Sequence, residues 1–294
     1  MRGAVSPATG RKYSFAMICS AYRLARSSGY AAGLGDPGGD AKRGPRPAVS
    51  DEALLAAIRQ ELEQARFVGE GHRKVHVRLR RHRGVRASRA RVLRLMREHQ
   101  LLAPYRARHR HGDRAHAGTI VTERPNQMWG TDGTRFVTAR DGWCWIFLAI
   151  DHFDDSVVGH HVAKIGDRFA ALEPIRQGLV QAFGRFAEGV AAGLTYRADW
   201  GTQYTSHTFR NEVRFTGGTL SPSFVGEPQC NGVAERFIRT LQEECLWLHD
   251  FEDLEEARRA IAEFIDRYNH EWLIERLGYR TPAQARREAL AQAA

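Results

Sequence analysis

Residues 128–163 read MWGTDGTRFVTARDGWCWIFLAIDHFDDSVVGHHVA, and this stretch determines the predicted fold. It contains three runs rich in β-branched and aromatic residues, at 128–138, 143–153 and 156–163, which is typical of strands. The first two runs are separated by ARDGW, in which the Asp-Gly pair is a strong hairpin signal. We therefore predict three consecutive antiparallel strands.

After residue 163 the pattern alternates between helices and strands. Pro174 falls inside the first helical run and predicts either a kink or a late start. The resulting order, β-β-β-α-β-α-β-α-α, predicts an α/β fold with a mixed five-stranded sheet and flanking helices. The predicted elements of this region are a helix over 168–184, a strand over 193–199, a helix over 207–215, a strand over 219–226, and helices over 231–248 and 253–272.

The chain before residue 128 reads as helical segments joined by linkers. Residues 1–49 contain a possible short helix-turn-helix over 14–32 and then a Gly/Pro-rich linker. Residues 50–104 predict an all-α helix-turn-helix domain with three helices, capped at their starts by Ser50 or Asp51 and by Ser88. Residues 105–123 read as a basic linker, and residues 124–287 form the predicted core domain.

Positive charge is concentrated in one part of this chain. The whole sequence carries a net charge of +10, yet residues 72–116 hold fifteen Lys or Arg and two acids, a net of +13. Arginine binds phosphate oxygens in pairs, so we expect this segment to contact DNA or RNA rather than form a solvated basic helix face. The candidate contacts on the third helix are Arg89, Arg91, Arg94 and Arg97.

Cysteine spacing and hydropathy argue against several classes of protein. The four cysteines are far apart and form no Cys-x-x-Cys pair, so neither a zinc knuckle nor a redox motif is predicted. No apolar run approaches the roughly 18–20 residues of a membrane span, and the N-terminus lacks a signal-peptide pattern. We expect a soluble, cytoplasmic protein with reduced thiols and no membrane partner.

Three carboxylates lie on or near strands of the predicted sheet, where functional groups are expected. Asp132 lies in the first strand, Asp199 ends the fourth, and Glu235 lies one turn into the helix after the fifth. Functional groups converge at strand ends in sheets with helical crossovers. A surface acid is more often merely solvated, and Asp151, like the neighbouring Asp154 and Asp155, is also near a strand end; we interpret Asp151 as structural.

The motifs RPNQMWGTDGT (124–134), SFVGEPQCNGVAERF (223–237) and LGYRTPAQAR (277–286) together resemble the integrase core of bacterial insertion-sequence transposases. The resemblance is to the group whose transposase is often made by frameshifting two reading frames, and residues 51–104 resemble its helix-turn-helix segment. It implies a ribonuclease H-like fold and a DDE-type enzyme that cleaves and joins DNA, with Asp132, Asp199 and Glu235 as the catalytic, metal-holding residues.

Carboxylate chemistry agrees with that implication. Clustered carboxylates repel one another, and a divalent cation relieves the repulsion. All-oxygen ligands suit Mg²⁺ or Mn²⁺, and two such ions about 3.5–4 Å apart can activate an attacking oxygen and stabilise a leaving one. The family further implies DNA ends and target DNA as partners, a homo-oligomer, and possibly the product of an upstream reading frame.

Some residues depart from the family pattern. Gln242 stands where a basic residue is usual, so Arg239 or Arg236 is the candidate DNA contact on that helix, although Arg239 could equally pair with Glu243. Trp200 and Cys230 also differ from the residues that are usual at these positions in the family.

The sequence leaves the roles of two further residues open. Asn231 is a candidate helix cap, and Tyr204 fits either the DNA groove or the core.

The alternatives to an active transposase are a decayed copy that only binds DNA, and a retroviral-type integrase or nuclease. The latter lacks support because no zinc module is visible at the N-terminus.

Overall fold

A computed structural model describes residues 5–31, 48–104, 121–222 and 231–293, within two compact units, Met1–Ala48 and Val49–Ala294. In the first unit, α1 (Phe15–Ala21) and α2 (Arg26–Ala31) form the predicted helical pair. The Ser14 hydroxyl accepts a hydrogen bond from the Met17 amide at the start of α1. The linker predicted over 33–49 lies almost wholly outside the described residues.

The second unit begins with the three predicted helices, α3 (Asp51–Glu63), α4 (His72–Arg83) and α5 (Arg89–Glu98). Ser50 and Ser88 cap α3 and α5 through their side chains, as the sequence predicts. Gly84 ends α4 with φ +64°, a left-handed conformation that favours glycine. The three helices enclose a small core of Leu54, Ile58, Val75, Leu79, Val92, Leu95 and Met96.

One mixed sheet forms the centre of the second domain. Its strands are β1 (Met128–Thr138), β2 (Gly142–Asp151), β3 (Val157–Ala163), β4 (Thr195–Ala198) and β5 (Thr219–Pro222). They lie in the order β3-β2-β1-β4-β5, with β1, β2 and β3 antiparallel and β4 and β5 parallel to β1. This is the ribonuclease H-like arrangement, and it confirms the predicted mixed five-stranded sheet.

Helices cover both faces of the sheet and create two apolar cores. On one face α6 (Arg168–Phe183) packs with α7 (Thr202–Thr205) and α8 (His207–Phe215). On the other face lie α9 (Gly232–Glu244) and α10 (Leu254–Glu271). The C-terminal helix α11 (Pro282–Ala293) follows; neither it nor α7 was predicted from the sequence.

The start of α6 corrects one sequence prediction. The helix begins at Arg168, where the Asp167 carboxylate caps it by accepting from the Ala170 amide at 2.9 Å. Pro174 is buried inside the helix, so the predicted late start is wrong. Gly159 on β3 has no room for a Cβ against the carbonyl of Pro174, because helix and strand pack closely there. That packing supports a helix in which proline removes one backbone hydrogen bond.

The segment between α3 and α4 is docked on the core domain. Phe67 inserts its ring between Phe264 and Trp272, with centroids 6.2 and 4.9 Å away. Beside it, the buried Glu244 carboxylate accepts hydrogen bonds from the Val68 and Gly69 amides, each at 2.7 Å. An apolar ring and two charge-assisted hydrogen bonds therefore hold the helix-turn-helix-like domain against α9 and α10.

Candidate metal and DNA-processing site

Strand register brings two of the predicted carboxylates together. β1 pairs in parallel with β4 through Met128 with Thr195 and Gly130 with Arg197. This pairing ends two residues before Asp132 and Asp199, and the charge of Asp199 acts on Asp132. Asp132 is half-buried and its carboxylate accepts from the Gly133 amide at 2.8 Å. Asp199 is exposed after the end of β4, where it accepts from the Gly201 amide at 3.0 Å.

Two hydrogen bonds pin α9 to β1 on either side of Asp132. The side-chain amide of Asn231 donates to the carbonyl of Thr131 at 3.0 Å. One helix length away, the amide of Gln242 donates to the hydroxyl of Thr134 at 3.2 Å. Asn231 occupies the N-cap position of α9, but its side chain makes no capping hydrogen bond. It binds β1 instead, so the predicted side-chain cap is wrong.

The first turn of α9 also needs space at β1. A Cβ on Gly130 would lie 2.7 Å from Oδ1 of Asn231 and 3.4 Å from Cβ of Ala234. Glycine at this position therefore lets the helix approach the strand closely. Glu235, exposed in that same first turn, is thereby held on the face of the sheet that carries Asp132.

The three acids, which we call the carboxylate cluster (Asp132, Asp199 and Glu235), interact electrostatically. Burial and, to a smaller extent, the charges of Asp199 and Glu235 together raise the pKa of Asp132 to about 7, while the Gly133 hydrogen bond opposes the rise. Both charged groups that act on Asp132 are acidic, so a cation would relieve the repulsion.

The side chains of the carboxylate cluster are not arranged as a complete metal site. In the described ranges, which omit residues 223–230 just before α9, no three His, Cys, Asp or Glu side chains are arranged to hold a metal ion. The donor chemistry fits a hard divalent cation, since all three ligands are carboxylates, but the side chains do not yet surround an ion.

A cavity of about 400 Å³ lies between β1 and α9, and we call it the α9 cavity. Its walls contain two members of the carboxylate cluster, together with one basic residue and an exposed tryptophan. The lining residues are Asp132, Gly133, Thr134, Glu235, Ile238, Arg239, Gln242, Glu243 and Trp247.

The two arginines predicted on α9 point to different places. Arg239 lines the α9 cavity, where its Nε binds the Glu243 carboxylate at 2.9 Å, so the alternative ion pair is observed. Arg236 lines a separate cavity of about 350 Å³ with Asp155 and Arg276. Arg239 is therefore the arginine that shares a cavity with Asp132 and Glu235.

The four arginines predicted on α5 also differ in their surroundings. Arg91 and Arg94 both bind the Asp51 carboxylate at 2.6 Å, which joins α5 to the start of α3. Arg91 is half-buried, whereas Arg89 and Arg97 are exposed. Arg89 and Arg97 are the better-placed candidates for an external phosphate.

Two remaining sequence predictions are resolved by packing. Tyr204 is buried in the core, with its ring edge-on to Phe209 at 5.3 Å, so the core alternative holds and the groove alternative does not. Asp151 is fully buried and binds Arg286 at 2.6 Å, which agrees with its interpretation as structural. Arg286 was not singled out, although it closes the third family motif.

The sheet topology and the preceding three helices are those of a ribonuclease H-like integrase core with a helix-turn-helix-like domain before it. Residues 50–109 match the family described as HTH-like domain, and residues 216–282 match the family described as integrase core domain. The boundaries 50–104 and 124–287 stay predictions.

The sequence is also similar to individual transposases. Transposase InsD for insertion element IS2A/D/F/H/I/K of Escherichia coli is 27% identical over 223 residues, which is 74% of this chain and 73% of that transposase. The chain is thus a homologue of the IS2 transposases and carries an HTH-like domain and an integrase core domain.

Retroviral integrase cores are among the solved structures that align with this chain. The BIV integrase catalytic core aligns with a TM-score of 0.43 and 22% identity over 57% of this chain and 98% of that chain. The HTLV-2 integrase catalytic core in complex with magnesium gives 0.42 and 18% over 55% and 97%. Within the described ranges of the present chain, no helix is long and apolar enough to cross a membrane.

Proposed function

We propose that this chain is a transposase that binds the ends of an insertion sequence and catalyses metal-dependent DNA cleavage and strand transfer. The observation that carries the proposal is that Asp132 and Glu235 line one cavity, with Asp199 near enough for its charge to act on Asp132. Homology to the IS2 transposases supports the same reaction class.

Asp132, Asp199 and Glu235 would hold two Mg²⁺ or Mn²⁺ ions. When bound, such ions would activate the attacking oxygen and stabilise the leaving oxygen of an in-line displacement at phosphorus. The part of the protein in this reaction is positioning. Asn231 and Gln242 fix α9 against β1, and Asp132 must release its proton before it can act as a ligand.

DNA contacts are proposed for arginines on two helices. On α5 they are Arg89, Arg91, Arg94 and Arg97, of which Arg89 and Arg97 are exposed without competition from Asp51 in the described contacts. On α9 they are Arg236 and Arg239. Synapsis of two DNA ends, which the resemblance implies, needs more than one copy of the chain, so a homo-oligomer is part of the proposal, as is a possible partner encoded by an upstream reading frame.

A nicking assay tests the catalytic assignment. The substrate is a duplex ending in the inverted repeat that flanks the coding sequence, incubated with the full chain and Mg²⁺. Asp199→Ala and Glu235→Gln should each reduce the nicking rate by roughly 10³-fold or more, because several kcal/mol of transition-state stabilisation would be lost. Mn²⁺ binding, measured by calorimetry, should weaken in parallel.

Glu263→Ala is the matched control, since this exposed acid on α10 lies outside the α9 cavity and should leave nicking unchanged. Full nicking by Asp199→Ala would refute the assignment. Retained end binding without nicking or Mn²⁺ binding by the unmodified chain would instead favour the decayed, DNA-binding alternative, which has less support because all three carboxylates are present.

A further inference from the structure

The side chain of Trp247 is exposed to solvent, and the backbone turn that carries it is held by hydrogen bonds. It lies in the short 3₁₀ turn Leu246–Leu248 after α9, and it is 68% exposed while Leu246 beside it is 7% exposed. The turn is tied at its start, because the Leu248 amide and a ring nitrogen of His249 both contact the carbonyl of Cys245, at 3.1 and 2.8 Å. The indole is therefore held outward by a fixed support.

The exposed indole belongs to the wall of the α9 cavity. It shares that cavity with Asp132 and Glu235, and its other apolar neighbour in the lining is Ile238. Covering an exposed indole with an apolar partner is favourable, and cavities that bind ligands combine aromatic walls with a few polar groups. The indole thus offers a planar apolar surface next to the carboxylate cluster.

Charge in the cavity limits what can cover Trp247. Three lining residues, Asp132, Glu235 and Glu243, are acidic, and the lining arginine, Arg239, already binds Glu243. A phosphate at the indole would gain little from this arrangement. An uncharged aromatic group gains the full stacking contribution, and every nucleobase presents such a face.

We propose that Trp247 stacks against a nucleobase of the DNA strand that enters the α9 cavity. This inference rests on the proposed function, because it assumes that DNA occupies the cavity. α9 rises about 14 Å between Glu235 and its end at Glu244, since each residue adds 1.5 Å. With 3.4 Å per nucleotide, the stacked base lies about four nucleotides from the phosphodiester that is cut. Stacking requires that this base leave its own helical stack.

Fluorescence of 2-aminopurine tests the contact without turnover. The probe is the inverted-repeat duplex with 2-aminopurine placed singly at positions two to seven nucleotides from the cleaved bond, on either side, in buffer with EDTA. The unmodified chain should change the fluorescence at one or two adjacent positions near the fourth. Trp247→Phe should keep that signal. Trp247→Ala should lose it and weaken DNA binding roughly five- to one-hundredfold, with an unchanged salt dependence.

Trp143→Ala is the matched control, because this tryptophan is 59% exposed on β2, outside the α9 cavity, and packs under Arg135. Equal fluorescence from Trp247→Ala and the unmodified chain would overturn the proposal. A changed oligomeric state of Trp247→Ala in sedimentation would also overturn it, in favour of a contact between copies.

The two proposals fail in distinguishable ways. If Mg²⁺ supports no nicking by the unmodified chain while the Trp247-dependent signal persists, the catalytic function falls and base stacking stands. Nicking in the absence of any Trp247-dependent signal refutes the stacking alone.

Discussion

Two groups of three acids lie in the same domain and differ in what surrounds them. The carboxylate cluster lies on and beside β1, while the arginine-paired acids (Asp151, Asp154 and Asp155) lie at the end of β2 and just after it. Burial raises the pKa of Asp151 to about 6, much as it raises that of Asp132 to about 7. A raised pKa therefore does not separate the two groups.

The charges that act on Asp132 differ from those that act on the arginine-paired acids. Arg286 binds Asp151 at 2.6 Å and Asp154 at 2.9 Å, and Arg276 binds Asp155 at 2.7 Å. In the carboxylate cluster, by contrast, the charges that act on Asp132 come from two other acids. The arginine-paired acids hold the C-terminal part of the chain to the sheet, whereas a cation would relieve the acidic repulsion that acts on Asp132.

The largest effect should come from breaking the arginine-paired group. Arg286→Ala leaves two buried carboxylates uncompensated and should reduce the free energy of unfolding by roughly 3–5 kcal/mol, measured by urea denaturation at pH 8. The loss should shrink as the pH falls from 8 towards about 6, because Arg286 lowers the pKa of Asp151 and the carboxyl of the variant therefore takes up its proton at a higher pH.

Arg287→Ala provides the control for this prediction, since its exposed side chain is the next one on α11. A loss for Arg286→Ala that stays constant from pH 8 to pH 5 would contradict the electrostatic account. It would indicate that Arg286 contributes through packing alone.

A smaller effect of opposite sign should follow in the carboxylate cluster. The pKa of Asp132 in the folded protein is about 7, above the ordinary value of 3.8, so its charge opposes folding at high pH. Asp132→Asn should therefore stabilise the metal-free protein. The gain should be absent below pH 4, grow up to pH 7, and level off above it at roughly 1 kcal/mol after allowance for solvent screening.

Thermal unfolding with and without Mg²⁺ completes this test. Mg²⁺ should raise the Tm of the unmodified chain by mass action and leave that of Asp132→Asn nearly unchanged. Glu263→Gln controls for the loss of an exposed acid. If Asp132→Asn destabilises the protein at pH 8, Asp132 is a structural acid and the distinction between the two groups is wrong.

Local patterns in the sequence predicted most of the elements. Ser50 and Ser88 mark helix starts because a hydroxyl cap depends on the next three residues alone. Strand β1 matches its predicted range, 128–138, for a similar reason: its apolar and turn residues are contiguous. The sequence did not predict α7 and α11, because α7 has only four residues and α11 has a weak apolar face.

Contacts between distant residues were beyond the sequence pattern. The resemblance named Asp132, Asp199 and Glu235, but only the register of β1 with β4 and the Asn231 contact to Thr131 explain how they come together. Hydrogen bonds that span a hundred residues leave no local periodicity. The pairing of Arg286 with Asp151 is hidden from the sequence for the same reason.

The smallest predicted effects extend the distinction to basic residues on α5. Arg91 is paired with Asp51 and half-buried, whereas Arg97 is exposed. Arg97→Ala should weaken DNA binding and reduce the slope of log affinity against log salt by about 1, with stability unchanged. Arg91→Ala should cost about 1 kcal/mol of stability, in the range of exposed ion pairs, and affect the slope less.

Filter binding at several salt concentrations, together with thermal unfolding of both variants, measures these effects. Asp51→Asn is the informative control, because it removes the carboxylate that Arg91 and Arg94 share and keeps both arginines, which retain their contacts to Val49 and Glu98 respectively. It should lower stability and leave the salt slope equal or steeper. If Arg91→Ala flattens the slope as much as Arg97→Ala does, the pairing with Asp51 does not withhold Arg91 from DNA, and a partner within the chain is not enough to call an arginine structural.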